Sequence, residues 1–420
     1  MKKNHRILAG LALGASIAVL AATPAWTQGN SGTVARYTMD AGTTSGMAAM
    51  GAGGGIGAAL GALGGGGNQV MHELQLRLGS SRAADGDPKA DHFMPSGARL
   101  GASVPLVTPR EVPSQPRDNA GVADGGPMQM PEGRLLLYWG CGEKAGPGQP
   151  VVIDFSKMAR GEVPPGLMAS FNDLPEAWRV HSGNSRTYGE WPNARDSKRV
   201  PANSSLLGAH RIAGNYSPEI SFNLADDFMP ALRPATRDMQ SGAVSLSWNS
   251  IDKATGYYAW VIATGGEGGN GRDMVWWTSS SKQAFGGPMS DWLSPAAARR
   301  LVDDGTVMPP SQTECTIPAE VKQSGGPMMM TQLFAYGPQA DFSYPERPRN
   351  APASWSPEWI ARVRYRANAM VMHGMPGMGG FGGAEERSER VERSEPTQPS
   401  LPRCRGGLRG IAERAAGLCQ

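Results

Sequence analysis

The sequence lacks the short motifs that mark the common classes of metalloprotease, serine hydrolase and thiol oxidoreductase. It contains no H-E-x-x-H, no G-x-S-x-G and no C-x-x-C. Its 6 histidines are scattered along 420 residues and do not form a local group of ligands or bases. These absences predict a protein that binds without catalysis. A hydrolase with an unrecognised site is the alternative.

Charge and cysteine are also scarce. Charged residues make up 18% of the chain and the net charge is +3, which is too small to indicate a nucleic-acid partner. The 4 cysteines are Cys141, Cys315, Cys404 and Cys419. In an oxidising compartment they allow three connectivities, among which we favour Cys404 with Cys419 because that pair closes a local loop.

The N-terminus has the three-part layout of a secretory signal peptide. Met1 to Arg6 is basic, Ile7 to Ala22 is apolar, and small residues with Pro24 follow. The alternative is a retained anchor, although the apolar run is shorter than the roughly 20 residues that a membrane span needs. We therefore predict a signal peptide over residues 1–25 and a secreted or periplasmic protein.

Two segments have compositions that bury little apolar surface. Residues 26–68 are rich in Gly, Ala and Met, and residues 374–420 combine a Gly/Met stretch with a charged tail. Both are predicted to be disordered. Glycines spaced four apart between residues 53 and 65 leave one alternative open, a glycine zipper through which residues 46–67 associate with a membrane or an oligomer.

Between these ends the chain alternates apolar and polar residues, which predicts strands. Leu74, Leu76 and Leu78 share one face of such a strand. The segment Ala90 to Pro95 recurs with one change at Ala225 to Pro230, each time after an alternating strand. This recurrence predicts a tandem duplication, with units at 69–215 and 216–373. The first unit carries a Pro-rich insertion at 105–131.

A strand, turn and strand pattern also occurs twice, at 134–153 and 243–262. The second copy resembles the B and C strands of fibronectin type III domains, through Leu246, Trp248, Ala254 and Tyr257. The resemblance implies an immunoglobulin-like β-sandwich. The predicted fold class is therefore mainly β, with two tandem related β-sandwich units between disordered ends.

Aromatic residues in polar loops provide one set of candidate ligand-binding positions. Tyr188 and Trp191 lie in a Gly/Asn/Pro-rich stretch, where rings exposed in loops can stack on sugars. The alternative is that they cover the end of a sandwich. Trp276 and Trp277 are adjacent in a predicted strand, so one is expected in the core and the other facing outward.

The run from Glu358 to Met372 provides a second set. Arg362, Arg364 and Arg366 alternate with apolar residues, so a strand would present three guanidinium groups on one face. We consider two roles for them, an anion-binding row for phosphate or acidic glycan and a charged edge that resists further pairing.

The end of this run and the residues after it provide a third set. Met370, Met372, His373, Met375 and Met378 offer thioether and imidazole groups of the kind that select Cu(I). The alternative is a plain flexible tail. Together these patterns predict an exported cell-envelope or extracellular protein that binds glycan or protein, with a hydrolase or a periplasmic copper-binding protein as the alternatives.

Overall fold

The computed structural model describes residues 32–51, 69–109, 133–158, 180–265, 273–285, 287–352 and 355–374. The predicted signal peptide, most of the Pro-rich insertion and the predicted tail after Gly374 lie outside these residues. Alternating apolar and polar residues give the described part its strand-rich character. Its strands are β1 Ala35–Gly46, β2 Val70–Ser80, β3 Ala90–Phe93, β4 Ser103–Leu106, β5 Arg134–Trp139, β6 Val151–Asp154, β7 Thr187–Trp191, β8 Gly208–Gly214, β9 Ile220–Leu224, β10 Ala235–Asp238, β11 Val244–Ser247, β12 Gly256–Thr264, β13 Met274–Thr278, β14 Glu314–Ile317, β15 Met329–Tyr344 and β16 Trp359–His373. Its helices are α1 Met47–Gly51, α2 Phe155–Met158, α3 Pro295–Asp303 and α4 Ala319–Gly325.

The strands form three sheets. A nine-stranded sheet runs in the order β6-β5-β13-β12-β15-β16-β1-β2-β7, a four-stranded sheet in the order β4-β3-β8-β9, and a three-stranded sheet in the order β10-β11-β14. The longest strands, β15 and β16, pair antiparallel at the centre of the large sheet. The prediction of a mainly β protein is confirmed.

Both smaller sheets pack on the same face of the large sheet, called here the inner face. Tyr37 of β1 meets His92 of the four-stranded sheet edge to face, with ring centroids 5.4 Å apart. Trp248, just after β11, packs on Tyr257 of β12 with centroids 5.5 Å apart. Because side chains alternate along a strand, every second residue of the large sheet joins this core and the others point to the opposite, outer face.

Helix α3 covers part of the outer face and follows its sequence signals. Ser294 caps it by accepting a hydrogen bond from the backbone N–H of Ala297, and Pro295 occupies the first turn. Ala297 and Ala298 are buried against Tyr258 and Phe334 of the sheet. None of the helices in the described part is long and apolar enough to span a membrane.

The predicted low-complexity spacer at 26–68 is wrong for residues 35–46, which form β1. This strand lies inside the large sheet, parallel to β16 and antiparallel to β2. Tyr37, Met39 and Ala41 are fully buried. Asp40, Gly42 and Gly46 are of residue types that are depleted in strands, so β1 forms because β2 and β16 pair with it on both sides.

The division into two tandem sandwich units is not confirmed. Strands β5 and β6 pair as a hairpin, whereas β11 and β12 lie in different sheets. Trp139 is half-buried while Trp248 is buried. The repeated segment is strand β3 at its first occurrence and irregular backbone at its second. The strands of the proposed first unit are spread over the large sheet and the four-stranded sheet, so they form no separate sandwich.

Candidate functional site

A disulfide joins the large sheet to the three-stranded sheet. Cys141, two residues beyond the end of β5, bonds to Cys315 in β14 across 174 residues of sequence. Cys315 is buried, whereas Cys141 is exposed. The predicted pair Cys404 and Cys419 lies outside the described residues and stays a prediction.

A groove of about 560 Å³ opens beside this disulfide. Its walls come from the turn after β5, the end of β13 and the loop that follows α3. The side chains that give it its chemistry are Trp139, Cys141, Lys144, Gln149, Met308 and Gln312. Three distant stretches of sequence therefore meet here, and the disulfide ties the first of them to β14, which follows the third.

Hydrogen bonds hold the two glutamines of the groove in place. The backbone N–H of Trp139 donates to Gln149 Oε1 at 2.8 Å, which closes the turn after β5. Gln312 Nε2 donates to the carbonyl of Glu314 at 2.8 Å and lies 3.4 Å from Met308 Sδ. Such bonds leave each side chain with little rotational freedom, so the groove is largely formed before any ligand arrives.

Aromatic, cationic and amide groups meet at the groove. The Trp139 ring packs edge-on against Phe285, with centroids 6.3 Å apart, and remains half-buried. Lys144 is exposed and brings a positive charge to the rim. An aromatic surface next to fixed amides and one cation can stack a flat apolar face while accepting and donating hydrogen bonds around it.

Tyr188 and Trp191 do not present the exposed rings that the loop interpretation predicts, whereas Trp276 and Trp277 divide between the outer face and the core as expected. Tyr188, Trp191 and Trp277 are all buried. The Tyr188 hydroxyl donates a hydrogen bond to Glu190 Oε2 at 2.6 Å. The pKa of Tyr188 is raised mainly by burial and secondly by this contact with Glu190. Trp276 is half-buried on the outer face, where it packs on Phe285 at 5.5 Å. The residues at 187–191 form an ordered edge strand, so their rings pack and do not present open faces.

The three arginines of β16 share the outer face as predicted, but they do not form an open cationic row. Arg364 is buried and makes a bidentate pair with Asp40 at 2.7 and 2.9 Å. Arg366 pairs with Glu73 at 2.9 Å, and Arg362 pairs with Asp341 at 2.7 Å. Each guanidinium therefore has a carboxylate partner, which the linear pattern could not show.

The predicted copper ligands do not converge in the described part of the chain. Met370 and Met372 project from the outer face of β16, whereas His373 points to the inner face. His373 is buried, with Nδ1 3.1 Å from Thr236 Oγ1 and Nε2 3.0 Å from Asp238 Oδ1. Met375 and Met378 lie outside the described residues. Among the described residues no group of three or more His, Cys, Asp or Glu side chains is placed to hold a metal ion.

The sequence interpretation missed the groove because its residues are far apart in the chain. The Gly/Pro-rich turn containing Lys144 and Gln149 carries no motif. The only available signal was the pair Cys141 and Cys315, one in each proposed unit. No known protein family, curated protein or solved structure matches this chain.

Proposed function

We propose that the protein is an exported, non-catalytic binding protein that takes up a saccharide in the groove beside Cys141 and Cys315. The observation that carries this proposal is the half-buried ring of Trp139 in a groove that also contains fixed amides and Lys144. Sugars combine an apolar C–H face with a rim of hydroxyls. They therefore match an aromatic ring surrounded by amide and ammonium groups.

The size of the groove supports a ligand of one or a few rings. Its volume of about 560 Å³ lies within the range of about 300–1,000 Å³ that is typical of small-molecule sites. Lys144 at the rim favours a saccharide that carries a carboxylate or sulfate, because the ammonium acts as a point charge for such groups. The preferred class is thus an acidic oligosaccharide.

The disulfide supports the compartment that this function requires. Disulfides persist mainly in secreted and periplasmic proteins, where thiols are not kept reduced. The bond between Cys141 and Cys315 agrees with the predicted signal peptide at residues 1–25. A glycan of the cell envelope or surroundings would meet the groove there.

The framework behind the groove supports the proposed fibronectin type III-like sandwich within residues 216–373. The three-stranded sheet β10-β11-β14 faces the run β13-β12-β15-β16 of the large sheet. Leu246, Trp248 and Tyr257 lie where these sheets meet. A sandwich of this kind provides rigid strands that hold loops in fixed positions, which suits a binding role.

The test is an array of neutral and acidic oligosaccharides probed with the full mature chain. We expect binding to acidic members, and we expect Trp139→Ala to weaken it at least tenfold because the stacking surface is lost. Tyr344→Ala is the matched control, since this ring is 59% exposed and lies outside the groove. Lys144→Gln should reduce the preference for acidic over neutral sugars.

Two outcomes would contradict the proposal. Equal binding by Trp139→Ala and the parent protein would remove the groove as the site. Release of new reducing ends from a bound oligosaccharide would show that the protein is a glycosidase, and the non-catalytic part of the proposal would then be wrong.

A further inference from the structure

A partly exposed apolar surface lies on the outer face, at the end of the sheet where β16 finishes. Its side chains come from four adjacent strands. In the first row Met372 is opposite Met330, Met330 is opposite Ile262, and Ile262 is opposite Trp276. The second row contains Met370 and Trp260, with Gln332 between them. We call Trp260, Ile262, Trp276, Met330, Met370 and Met372 the Met/Trp face.

These six side chains are all half-buried, in contrast to their neighbours along each strand. Val261, Val275 and Val371 alternate with them and are buried in the inner core. Further along the same outer face, Tyr258 and Phe334 are buried by α3 and the residues before it. The cover around α3 extends to Trp260, which packs against its edge, and Phe285 packs on Trp276. No buried cluster of the described residues includes the other four members, Ile262, Met330, Met370 and Met372.

We propose that the Met/Trp face is the docking site for residues 408–418 of this chain's own C-terminal segment. This segment is attached to the chain next to the Met/Trp face. Strand β16 ends at His373, one residue after Met372, so the remaining chain leaves the sheet at the border of the face. A chain of 33 residues, the length from 375 to 407, would span about 30 Å by random-coil statistics. Four strands are only about 14 Å wide, so the segment reaches every part of the face.

Residues 408–418 also have the residue pattern of an amphipathic helix. Leu408, Ile411, Ala415 and Leu418 recur at helical spacing, while Arg409, Glu413 and Arg414 fall outside that stripe. A helix of 11 residues is about 16 Å long, which matches the width of the four strands.

The Met/Trp face has a composition suited to binding such a helix. Methionine side chains are flexible and polarizable, and surfaces rich in them adapt to the apolar side of amphipathic helices. Helix α3 already packs on the adjoining part of the same face through Ala297 and Ala298. A second helix beside it would continue an existing layer. Because the segment is tethered, its effective concentration is in the millimolar range, and modest contacts keep it bound.

The test measures the oxidation of individual methionines by hydrogen peroxide in the full mature chain. We expect Ile411→Glu combined with Leu418→Glu to raise the oxidation rates of Met330, Met370 and Met372 several-fold, because the apolar stripe no longer docks. Arg409→Gln combined with Glu413→Gln is the matched control outside the stripe and should leave the rates unchanged. Met328, which is 55% exposed, and Met329, which is buried, calibrate fast and slow oxidation in every variant.

A synthetic peptide of residues 404–420 added to the Glu variant should restore protection. Equal oxidation rates in the stripe variant and the parent would overturn the proposal. If methionine protection from oxidation increases with protein concentration in both the stripe variant and the parent, the proposal is overturned in favour of a second copy of the chain. If the methionines of the stripe variant and the parent are protected only when anionic phosphatidylglycerol vesicles are present, the proposal is overturned in favour of a lipid surface. The saccharide groove is tested separately, so either proposal can fail alone.

Discussion

Asp40 shows how a single carboxylate organises the outer face. It is 0% exposed and accepts hydrogen bonds from Arg364 and from Arg77, whose Nη1 lies 2.9 Å away. A buried charge is tolerated only when it is paired and hydrogen-bonded, and here two guanidinium groups meet that need. The arginines of β16 are therefore engaged in structural ion pairs, which leaves their charges unavailable to an external anion.

A second buried network at the residue scale responds to pH. Tyr37 Oη lies 2.7 Å from His92 Nδ1, His92 Nε2 lies 3.0 Å from His210 Nδ1, and His210 Nε2 lies 2.7 Å from the carbonyl of Leu206. Since that carbonyl only accepts, His210 Nε2 carries a proton. Burial lowers the pKa of both histidines and so favours their neutral forms. A neutral His210 can only accept at Nδ1, which places a proton on His92 Nε2 and makes Tyr37 the donor to His92 Nδ1.

We expect the free energy of unfolding to fall as pH drops below about 6.5, the ordinary histidine value. Burial, and for His92 also the neighbouring His210, lowers the pKa of both groups in the folded protein. The unfolded chain then binds more protons below pH 6.5, which favours unfolding by up to about 1.4 kcal/mol per pH unit for each histidine. Urea unfolding between pH 7.5 and 5 measures this slope.

His92→Gln should reduce the pH slope, whereas His181→Gln should not, because His181 is exposed. A slope that is the same in His92→Gln and the parent would show that other groups control the acid response.

At the scale of elements, β1 is the strand that sequence patterns predict least well. We expect a nonspecific protease to leave β1 intact, so that the resistant core begins before Ala35 and not near Val70. Its backbone is paired on both sides, and paired buried backbone is cut slowly. Mass spectrometry of the resistant fragments would locate the boundary. Cleavage between Ala35 and Gly46 in the folded protein would contradict the placement of β1.

Elements with their own local signals were predictable, and those defined by partners were not. The alternating leucines of β2 appear in the structure as expected, and Ser294 with Pro295 is a local signal at the start of α3. Strand β1 has the same alternation at Tyr37, Met39 and Ala41, but the pattern stops there, and the Gly, Thr and Ser residues that follow in the strand carry no large apolar side chain. The groove could not be predicted at all, because Trp139 and Gln312 are brought together by sheet order and not by spacing.

At the scale of the molecule, the disulfide is the covalent link between two sheets. We expect Cys141→Ser combined with Cys315→Ser to lower the free energy of unfolding by about 2–5 kcal/mol, because the bond closes a long loop. Denaturant unfolding measures the change. The variant should also lose saccharide affinity, since one wall of the groove is no longer fixed to the other.

Cys404→Ser combined with Cys419→Ser is the control for removing two sulfurs, and it should leave the unfolding midpoint of the core unchanged. Saccharide binding that is equally strong without the bond between Cys141 and Cys315 would show that the groove walls are held by packing alone.

The parallel pairing of β1 with β16 sets the order in which the protein can be completed. Ala35 aligns with Trp359, 324 positions later, so the first strand of the sheet has no permanent neighbour on one side until almost the whole chain exists. At about 5–20 residues per second, a ribosome needs roughly 16–65 s to supply that neighbour. During this interval the newly made strand presents an open edge, and a chaperone that masks such edges would protect the nascent chain from aggregation.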